Sequence, residues 1–424
     1  MAQVSHSFRL AGHFGSRVPQ PVSRSSAHVE TLDGLRGLAA CWTLLAHALM
    51  LSGSPRLPIL SRADLAVDLF MMLSGFLMTH HYIHRRAREP WESAETMRRF
   101  WIRRYFRISP LYYLLLVVVL IAGPRYGEMR AATTEVWAWT GTPIERYADT
   151  SVQNLMMHLS YLFGFSPEYS FRTALPDWSI GLEMQFYLVF PFLMLLAARV
   201  GLVGAAVLAM AAAGALVQAA PGFFDSYALP AALPLSLHMF LFGMALAWGR
   251  AEGRIAPAAL TIAAVLLISP LNDMTGSAGS AAWLMALFLA VAGTGRPAPA
   301  GDPGTGAGPR AARLAARALT PLRRLCSGRI AGFLGDISYG IYLTHLLVIL
   351  PVTGMLAGSG FWLDQPWPAR AAITLALVLP LVLPLSWLLY RHVELPGIRL
   401  GQQVLEPRRE LAAKAERHGT IPGP

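Results

Sequence analysis

Long apolar runs separated by short polar gaps dominate this chain. A helix that spans a membrane needs about 20 mostly apolar residues, and clustering of this kind is typical of membrane proteins rather than of soluble cores. The pattern predicts an all-α integral membrane protein, a bundle of about ten transmembrane helices. The candidate spans are residues 35–53, 65–83, 105–123, 176–198, 202–220, 233–249, 256–270, 280–294, 333–356 and 369–390.

One further apolar segment is ambiguous. The stretch QNLMMHLSYLFGFS at 153–166 is only about two-thirds of a span long. We interpret it as an interfacial or re-entrant helix, and an eleventh span is the alternative.

The basic residues indicate the orientation. The chain has 35 Lys and Arg residues. With ten spans and the N-terminus inside, 28 of these 35 residues fall in inside segments and 7 fall outside. Cytoplasmic segments of membrane proteins are enriched in Lys and Arg, so both termini are predicted to be cytoplasmic. An eleventh span at 153–166 would put the arginine-rich loop at 295–330 outside.

Composition agrees with a lipid bilayer as the environment. Charged residues make up 14% of the chain, the mean hydropathy is +0.45 and the net charge is +11. A basic chain can bind nucleic acid, but these arginines lie in short gaps between apolar runs and form no continuous basic face. We therefore expect no nucleic-acid partner.

Three regions are expected along the chain. Residues 1–30, rich in Ser, Arg and Pro, predict a flexible cytoplasmic tail that lacks the apolar core of a signal peptide. Residues 31–395 form the transmembrane domain, with a cytoplasmic linker loop at 295–330, and residues 396–424 form a cytoplasmic C-terminal tail. No metal-ligand cluster is evident and no metal is expected, because the histidines at 80, 81 and 84 are better explained as a solvated group.

His47 lies within the first apolar run, in LDGLRGLAACWTLLAHA at 32–48. Arg36 precedes it by three helical turns, a rise of about 16 Å, so both side chains share one helix face. An ionisable group inside a membrane is costly and is by default a functional candidate. A histidine that only hydrogen-bonds between helices is the alternative, and this run alone favours neither.

Three more ionisable residues lie inside other runs. Asp68 is near the outer end of the second run, Glu183 is about a turn and a half into the fourth, and His345 lies in the ninth. In the ten-span topology these residues and His47 all lie at or above the membrane midplane. A histidine with a carboxylate partner can act as a general base, so Glu183 and Asp68 are the predicted partners of His47.

Two motifs have both structural and functional interpretations. In AVDLFMMLSGFLMT, Ser74 and Gly75 form a small notch whose favoured role is close helix packing. In RRFWIRRYFRISPLYYL, the arginines fit an ordinary positive-inside anchor. A phosphate clamp is the alternative, because Arg104 and Arg107 share a face and guanidinium groups match phosphate oxygens.

Together these motifs resemble the acyltransferase-3 family of multi-spanning membrane O-acyltransferases. The chain departs from the family pattern at Met71, at Gly181-Leu182 and at Thr344, where Phe, Val and Trp are usual. The matching positions run in order along the chain: Asp33, Gly34, Arg36, Gly37, His47, Asp68, Phe70, Ser74, Gly75, Arg104, Arg107, Pro110, Tyr113, Trp178, Ser179, Glu183, Phe186, Tyr187, Pro191, Ser338, Tyr339, Tyr342 and His345.

The resemblance implies transfer of an acyl group, most often acetyl, from acyl-CoA to a hydroxyl group. It implies that His47 is catalytic, aided by Glu183 or Asp68. The implied contacts with acyl-CoA are Arg36, Arg103, Arg104 and Arg107, and those with the acceptor are Trp178, Ser179, Tyr187, Tyr342 and His345.

The expected function is O-acylation of a carbohydrate, part of a surface or exported polysaccharide, in the bacterial cytoplasmic membrane. O-acylation of a macrolide or another glycosylated natural product is the alternative within the family. A transporter or flippase is the alternative of another class, since intramembrane His, Asp and Glu also serve proton relays. It predicts duplicated halves with broken helices, and the sequence shows no duplication. A membrane sensor without catalysis is a further alternative.

Overall fold

Helices account for the apolar runs of the sequence. The computed structural model describes residues 27–253, 255–268 and 320–405, and all regular structure in these ranges is helical. This confirms the all-α membrane fold, while the number of spans and the position of the termini stay predictions. Six described helices are long and apolar enough to cross a membrane: Thr31–Leu51, Ala63–Arg85, Ala94–Val136, Trp178–Ala219, Ser338–Ala357 and Trp367–Leu405.

The α-helices of the described part are numbered in chain order. The described part also contains short 3₁₀ helices at Ala138–Thr140 and Leu162–Phe165 and a π-helical segment at Tyr390–Glu394. The α-helices are α1 (Ala27–Leu51), α2 (Ala63–Arg85), α3 (Ala94–Val136), α4 (Glu145–Ala148), α5 (Val152–Leu159), α6 (Trp178–Ala219), α7 (Pro221–Asp225), α8 (Leu233–Glu252), α9 (Ile255–Ile268), α10 (Thr320–Cys326), α11 (Arg329–Asp336), α12 (Ser338–Ala357), α13 (Gly360–Leu363), α14 (Trp367–Leu389) and α15 (Leu395–Leu405).

The predicted spans correspond to these helices, but their extents differ, and α3 covers Ala94–Val136 where 105–123 was predicted. Gly201 interrupts α6 with φ 79° and ψ 163°, so the fourth and fifth predicted spans are two helices joined at one residue. The ninth predicted span divides at Ile337 into α11 and α12. The predicted span at 280–294 lies outside the described residues.

The ambiguous segment at 153–166 forms a short helix followed by a turn. The eight residues of α5 rise only about 12 Å, which is too little to cross the hydrocarbon layer. Tyr161 then adopts a left-handed conformation with φ 60° and leads into the 3₁₀ turn. Asn154 and His158 are buried, whereas Val152 and Met156 are exposed. This segment is therefore no eleventh helical span.

Close packing between α2 and α8 depends on glycines. A side chain on Gly75 would meet the backbone of Phe240, and one on Gly243 would meet the backbone of Met72. Small residues let membrane helices approach this closely, so the packing role predicted for Gly75 is confirmed. Its neighbour Ser74 has a different role, described below.

The same principle fixes the start of α1. Gly34 packs against the carbonyl of Cys326, and Gly37 packs against the backbone of Leu334 and Gly335. The two glycines therefore bring α10 and α11 against the turn of α1 that carries Arg36.

The C-terminal end of the transmembrane domain extends beyond its predicted limit. Residues 395–405 form α15, in which Gly397 packs on Pro110 and Gly401 packs on Phe106. The first part of the predicted tail at 396–424 is thus a helix packed against α3, and residues from 406 onward lie outside the described part.

Candidate active site

A cavity of about 340 Å³ lies between the helices of the bundle. It is lined by residues of α1, α2, α3, α6, α11, α12, the π-helical segment and α15, so elements from both ends of the chain form it. The residues used below are Asp33, Arg36, Phe70, Ser74, His81, Arg104, Arg107, Ser179, Glu183, Tyr187, Asp336, Tyr339, Tyr342 and Glu394.

Three predicted arginines meet in this cavity. Arg36 donates to Ser338 Oγ at 3.0 Å and to the Gly335 carbonyl at 3.1 Å, and it lies 3.5 Å from Asp33. The Arg104 guanidinium lies 5.8 Å from the ring centroid of Tyr187, and its buried Nε has no hydrogen-bond partner. Neither Arg104 nor Arg107 forms an ion pair within the described residues. The cavity therefore holds two guanidinium groups that no described carboxylate contacts directly, although Glu183 and Glu394 line the same cavity.

Arg103 is not one of these cavity residues. Its two terminal nitrogens donate to the carboxylate oxygens of Glu89 at 3.0 and 2.8 Å. A bidentate pair of this kind uses two guanidinium donors and neutralises the charge of Arg103. The structure thus separates Arg103 from Arg104 and Arg107, with which the resemblance had grouped it.

Glu183 is held at the cavity wall by two hydroxyl groups. Its Oε1 accepts from Ser74 Oγ at 2.7 Å and from the Tyr187 hydroxyl at 2.5 Å. Ser74 is therefore a hydrogen-bond donor to Glu183 rather than only a packing residue. This arrangement fixes the carboxylate among the arginines of the cavity.

His47 contacts His345, not a carboxylate. Nδ1 of His47 lies 3.2 Å from Nε2 of His345, and the ring centroids are 5.0 Å apart. His345 is fully buried, whereas His47 is only partly buried. The predicted pairing of His47 with Glu183 is not found, because Glu183 is engaged by Ser74 and Tyr187.

Backbone carbonyls determine the protonation of the two rings when both are neutral. Nδ1 of His47 lies 2.9 Å from the Thr43 carbonyl, and Nδ1 of His345 lies 2.6 Å from the Tyr342 carbonyl. A carbonyl oxygen only accepts hydrogen bonds, so each Nδ1 carries the proton. Nε2 of His345 is then an acceptor, and Nε2 of His47 keeps a free lone pair with no partner among the described residues.

Tyr342 connects the cavity to the histidine pair. It lines the cavity, and its ring centroid lies 5.9 Å from that of His345. Its hydroxyl donates to the Pro176 carbonyl at 2.9 Å and lies 2.6 Å from Ser179 Oγ. The predicted residues Ser179, Tyr342 and His345 are therefore one connected group.

Two predicted site residues lie elsewhere. Asp68 is partly buried near the start of α2 and forms no hydrogen bond or ion pair with any described residue. Trp178 is partly buried against the apolar core at the start of α6. Neither lines the cavity, so the structure gives no contact between Asp68 and His47.

The cavity also contains residues to which the sequence interpretation gave no catalytic or binding role. Tyr339 donates to the Ile108 carbonyl at 2.9 Å, and Glu394 is buried with Oε1 unpaired. Asp336 and His81 complete this group. Glu394 had one usable signal, since it is a carboxylate that follows closely after the last apolar run. No cluster of metal-ligating side chains occurs in the ranges that the structure covers.

A buried polar network lies beside the N-terminus of α6. Oδ2 of Asp177 accepts from Thr173 at 2.7 Å and from Tyr112 at 3.2 Å, and His158 Nε2 lies 3.6 Å away. Burial raises the pKa of Asp177. Arg146 joins this network by donating to the carbonyls of Thr173 and Leu175, in the loop before α6. Sequence reasoning missed it, because it depends on loop residues that pack together only in the fold.

Three known proteins show how far the similarity extends. Nodulation protein 10 of Rhizobium leguminosarum bv. viciae is 26% identical over 412 residues, which cover 92% of this chain and 98% of that protein. Peptidoglycan O-acetyltransferase OatA of Listeria monocytogenes serovar 1/2a is 28% identical over 174 residues, 40% of this chain and 25% of that protein. Acyltransferase MdmB of Streptomyces mycarofaciens is 30% identical over 171 residues, 38% of each protein.

The aligned part of this chain thus spans a quarter of the Listeria protein's length. No solved structure matches the chain significantly. The family model described as an acyltransferase domain matches residues 29–391, a range that contains the cavity arginines and both histidines. The chain therefore belongs to the acyltransferase-3 family of acyltransferases.

Proposed function

We propose that this protein is a membrane-bound O-acyltransferase that moves an acyl group, acetyl in the simplest case, from acyl-CoA to a hydroxyl group of a carbohydrate. The acceptor is part of a surface or exported polysaccharide, and the protein acts in the bacterial cytoplasmic membrane. One observation carries this proposal: the His47–His345 pair lies one aromatic side chain, Tyr342, beyond a cavity lined by three arginines.

The cavity suits an anionic donor. Guanidinium groups bind phosphate oxygens through paired hydrogen bonds, and Arg104 and Arg107 have no ion-pair partner among the described residues. In this proposal they bind phosphates of acyl-CoA. Arg36 is already held by Ser338 and Asp33, so it adds positive charge without moving.

Carboxylates in the same cavity fit the uncharged part of the donor. The pantetheine arm of CoA carries two amide N–H groups, and a carboxylate accepts such donors well. Glu394 has a buried oxygen without a hydrogen-bond partner, and Glu183 is held in place by Ser74 and Tyr187. The arm would lie along these residues and direct the thioester toward Tyr342 and the histidines.

His47 supplies the base. Its unprotonated Nε2 takes the proton of the acceptor hydroxyl as that oxygen attacks the thioester carbonyl carbon. The new C–O bond forms, the C–S bond breaks, and the proton passes to the leaving sulfur of CoA. In an acyl-histidine route the same Nε2 first attacks the thioester, and the C–S bond breaks to release the CoA thiolate. The hydroxyl oxygen then attacks the acyl carbon, the C–N bond to Nε2 breaks, and the hydroxyl proton passes through the freed Nε2 to the thiolate. His345 orients His47 in both routes, since its Nε2 faces the Nδ1–H of His47.

The carbohydrate acceptor is inferred from a relative rather than from a contact. One relative is named a peptidoglycan O-acetyltransferase. A polysaccharide hydroxyl fits a base that is only partly buried, since a large acceptor reaches an accessible group.

The test compares two histidine variants in membranes that receive [¹⁴C]acetyl-CoA. His47→Ala should reduce transfer of label to the carbohydrate fraction at least 100-fold, in the range of about 10²–10⁴ for loss of a general base. His84→Ala, an exposed histidine on α2, is the matched control and should transfer at the wild-type rate. A wild-type rate in His47→Ala would disprove the catalytic role.

A further inference from the structure

Two buried arginines lie apart from the donor cavity. Arg130 is 7% exposed and Arg146 is 8% exposed. Arg130 is 23 residues beyond Arg107 on α3, which is about 35 Å along the helix. Neither residue lines the donor cavity, and the proposed mechanism uses neither of them.

The packing of α4 on α3 brings these two arginines together. Gly123, Gly127 and Arg130 follow each other at intervals of four and three residues, so they share one face of α3. Tyr147 packs directly on both glycines, and Arg146 precedes it in the chain. The side chain of Arg146 lies 3.8 Å above the ring centroid of Phe171 and donates to the carbonyls of Thr173 and Leu175 at 2.9 and 3.3 Å.

The positive charge of this pair has no adequate counterion. Nε of Arg130 is buried without a hydrogen-bond partner, and no carboxylate among the described residues forms an ion pair with either guanidinium. Asp177 acts on Arg146 electrostatically, but its Oδ2 is shared by Tyr112 and Thr173. A buried charge is costly unless it is paired, so the pair of arginines is suited to an anion that arrives with a ligand.

The arginines lie close to the proposed base. Trp137, seven residues after Arg130, packs on Gly53, six residues after His47. Arg130 on α3 and His47 on α1 are thus each about 10 Å along their helix from the contact between Trp137 and Gly53. Among the described residues, Arg130 and Arg146 are also near enough for their charges to act on His47.

We propose that Arg130 and Arg146 bind the anionic group of the acceptor, a phosphate or a carboxylate, and so hold its hydroxyl at His47. This inference rests on the proposed O-acyltransferase function and adds a chemical class for the acceptor: an acidic sugar. Paired guanidinium groups suit both anions, because each presents two or more oxygens in one plane or face. Donor and acceptor then bind at separate arginine pairs on either side of the histidines.

The test measures binding by isothermal titration with the full-length protein in nanodiscs, with CoA present at saturation so that the donor cavity is filled. The probes are α-D-glucose 1-phosphate, D-glucuronate and neutral D-glucose. At least one anionic sugar should bind more tightly than D-glucose, and the tighter of the two identifies the anion as phosphate or carboxylate. Equal binding of all three sugars would overturn the proposal.

Variants separate this subsite from the donor cavity. Arg130→Gln should weaken binding of the anionic sugar about tenfold or more, because a charge-assisted hydrogen bond is lost, and should leave CoA binding unchanged. Arg104→Gln should do the reverse. Arg62→Gln, an exposed arginine paired with Asp64, is the matched surface control. Wild-type sugar binding in Arg130→Gln, or an equal loss of CoA binding, would contradict the proposal.

A conservative variant covers the case in which Arg130→Gln does not fold. Arg130→Lys keeps the charge but loses the paired donors, and it should bind the anionic sugar several-fold more weakly than wild type. Unchanged affinity in this folded variant would overturn the assignment of Arg130. These measurements need no acyl transfer, so failure of the subsite and failure of the proposed reaction are separate results.

Discussion

At the scale of single residues, His345 is the less obvious member of the histidine pair. It is fully buried, and its Nε2 faces Nδ1 of His47 while its own Nδ1–H reaches the Tyr342 carbonyl. This makes His345 a positioning residue that orients the ring of His47. This role requires a hydrogen-bond acceptor at the position of Nε2, and a side chain other than imidazole could provide it.

Two substitutions at this position test that role. His345→Gln can place an amide oxygen near the position of Nε2, whereas His345→Leu fills the space without an acceptor. We expect kcat to fall about tenfold in His345→Gln. It should fall further in His345→Leu, because this variant has no acceptor for the buried hydrogen bond from His47. The KM for acetyl-CoA should stay near the wild-type value in both. Equal kcat values in the two variants would argue against an orienting hydrogen bond.

The donor arginines give a second prediction at this scale. Arg107→Lys keeps the charge but removes the paired guanidinium donors, so the KM for acetyl-CoA should rise about tenfold with a smaller change in kcat. Arg98→Lys is the control, because Arg98 lies on the same helix, is exposed and pairs with Glu95. An unchanged KM in Arg107→Lys would remove Arg107 from the donor site. The same assay shows whether Arg103, tied to Glu89, contributes at all.

At the scale of helices, glycines set the distances between elements that carry the site. Gly335 in α11 packs against the Asp33 carbonyl of α1, whereas Gly332, one turn earlier, has no neighbour within 4 Å. Gly335→Ala should therefore separate α11 from α1 and lower the thermal unfolding temperature in detergent by several degrees. Gly332→Ala should raise it or leave it unchanged, since alanine favours a helix by about 1 kcal/mol over glycine. Equal shifts would contradict the close approach.

The break in α6 has its own test. Gly201 has φ 79° and ψ 163°, a conformation that residues with a Cβ rarely adopt, at a cost of about 1–3 kcal/mol. Gly201→Ala should lower the unfolding temperature, and Gly222→Ala, which meets no atom within 4 Å, serves as control. A stable Gly201→Ala protein would mean that the two halves of α6 tolerate another geometry.

The long apolar runs predicted the helices well, because such a run can adopt few structures other than a helix in a membrane. The break at Gly201 falls in the predicted gap between residues 198 and 202. The division at Ile337 was not predicted, since local conformation rather than hydropathy decides it. The intramembrane histidines and Glu183 were accessible to prediction because ionisable residues stand out in an apolar sequence. The donor role of the arginines came from the family resemblance, because their basic motif fits a positive-inside anchor equally well. The contact partners were not accessible to prediction: the contact of His47 with His345 and that of Glu183 with Ser74 depend on helix rotation.

At the scale of the whole molecule, the topology is open to chemical labelling. The ten-span prediction places Arg56 outside and Arg88 inside, and both side chains are exposed. In a background in which Cys41 and Cys326 are replaced by alanine, Arg56→Cys should react with a membrane-impermeant maleimide in intact spheroplasts. Arg88→Cys should react only after the membrane is opened. Reaction of both, or of Arg88→Cys alone, would reverse or reject the predicted orientation.

The contact between His47 and His345 joins residues 298 positions apart in the chain. A ribosome adds about 5–20 residues per second, so roughly 15–60 s pass between synthesis of the first histidine and synthesis of the second. During that interval the first helix is already in the membrane with an unpaired imidazole. Any chain released before residue 345 lacks the orienting partner, so the base is assembled only in protein whose synthesis has almost finished.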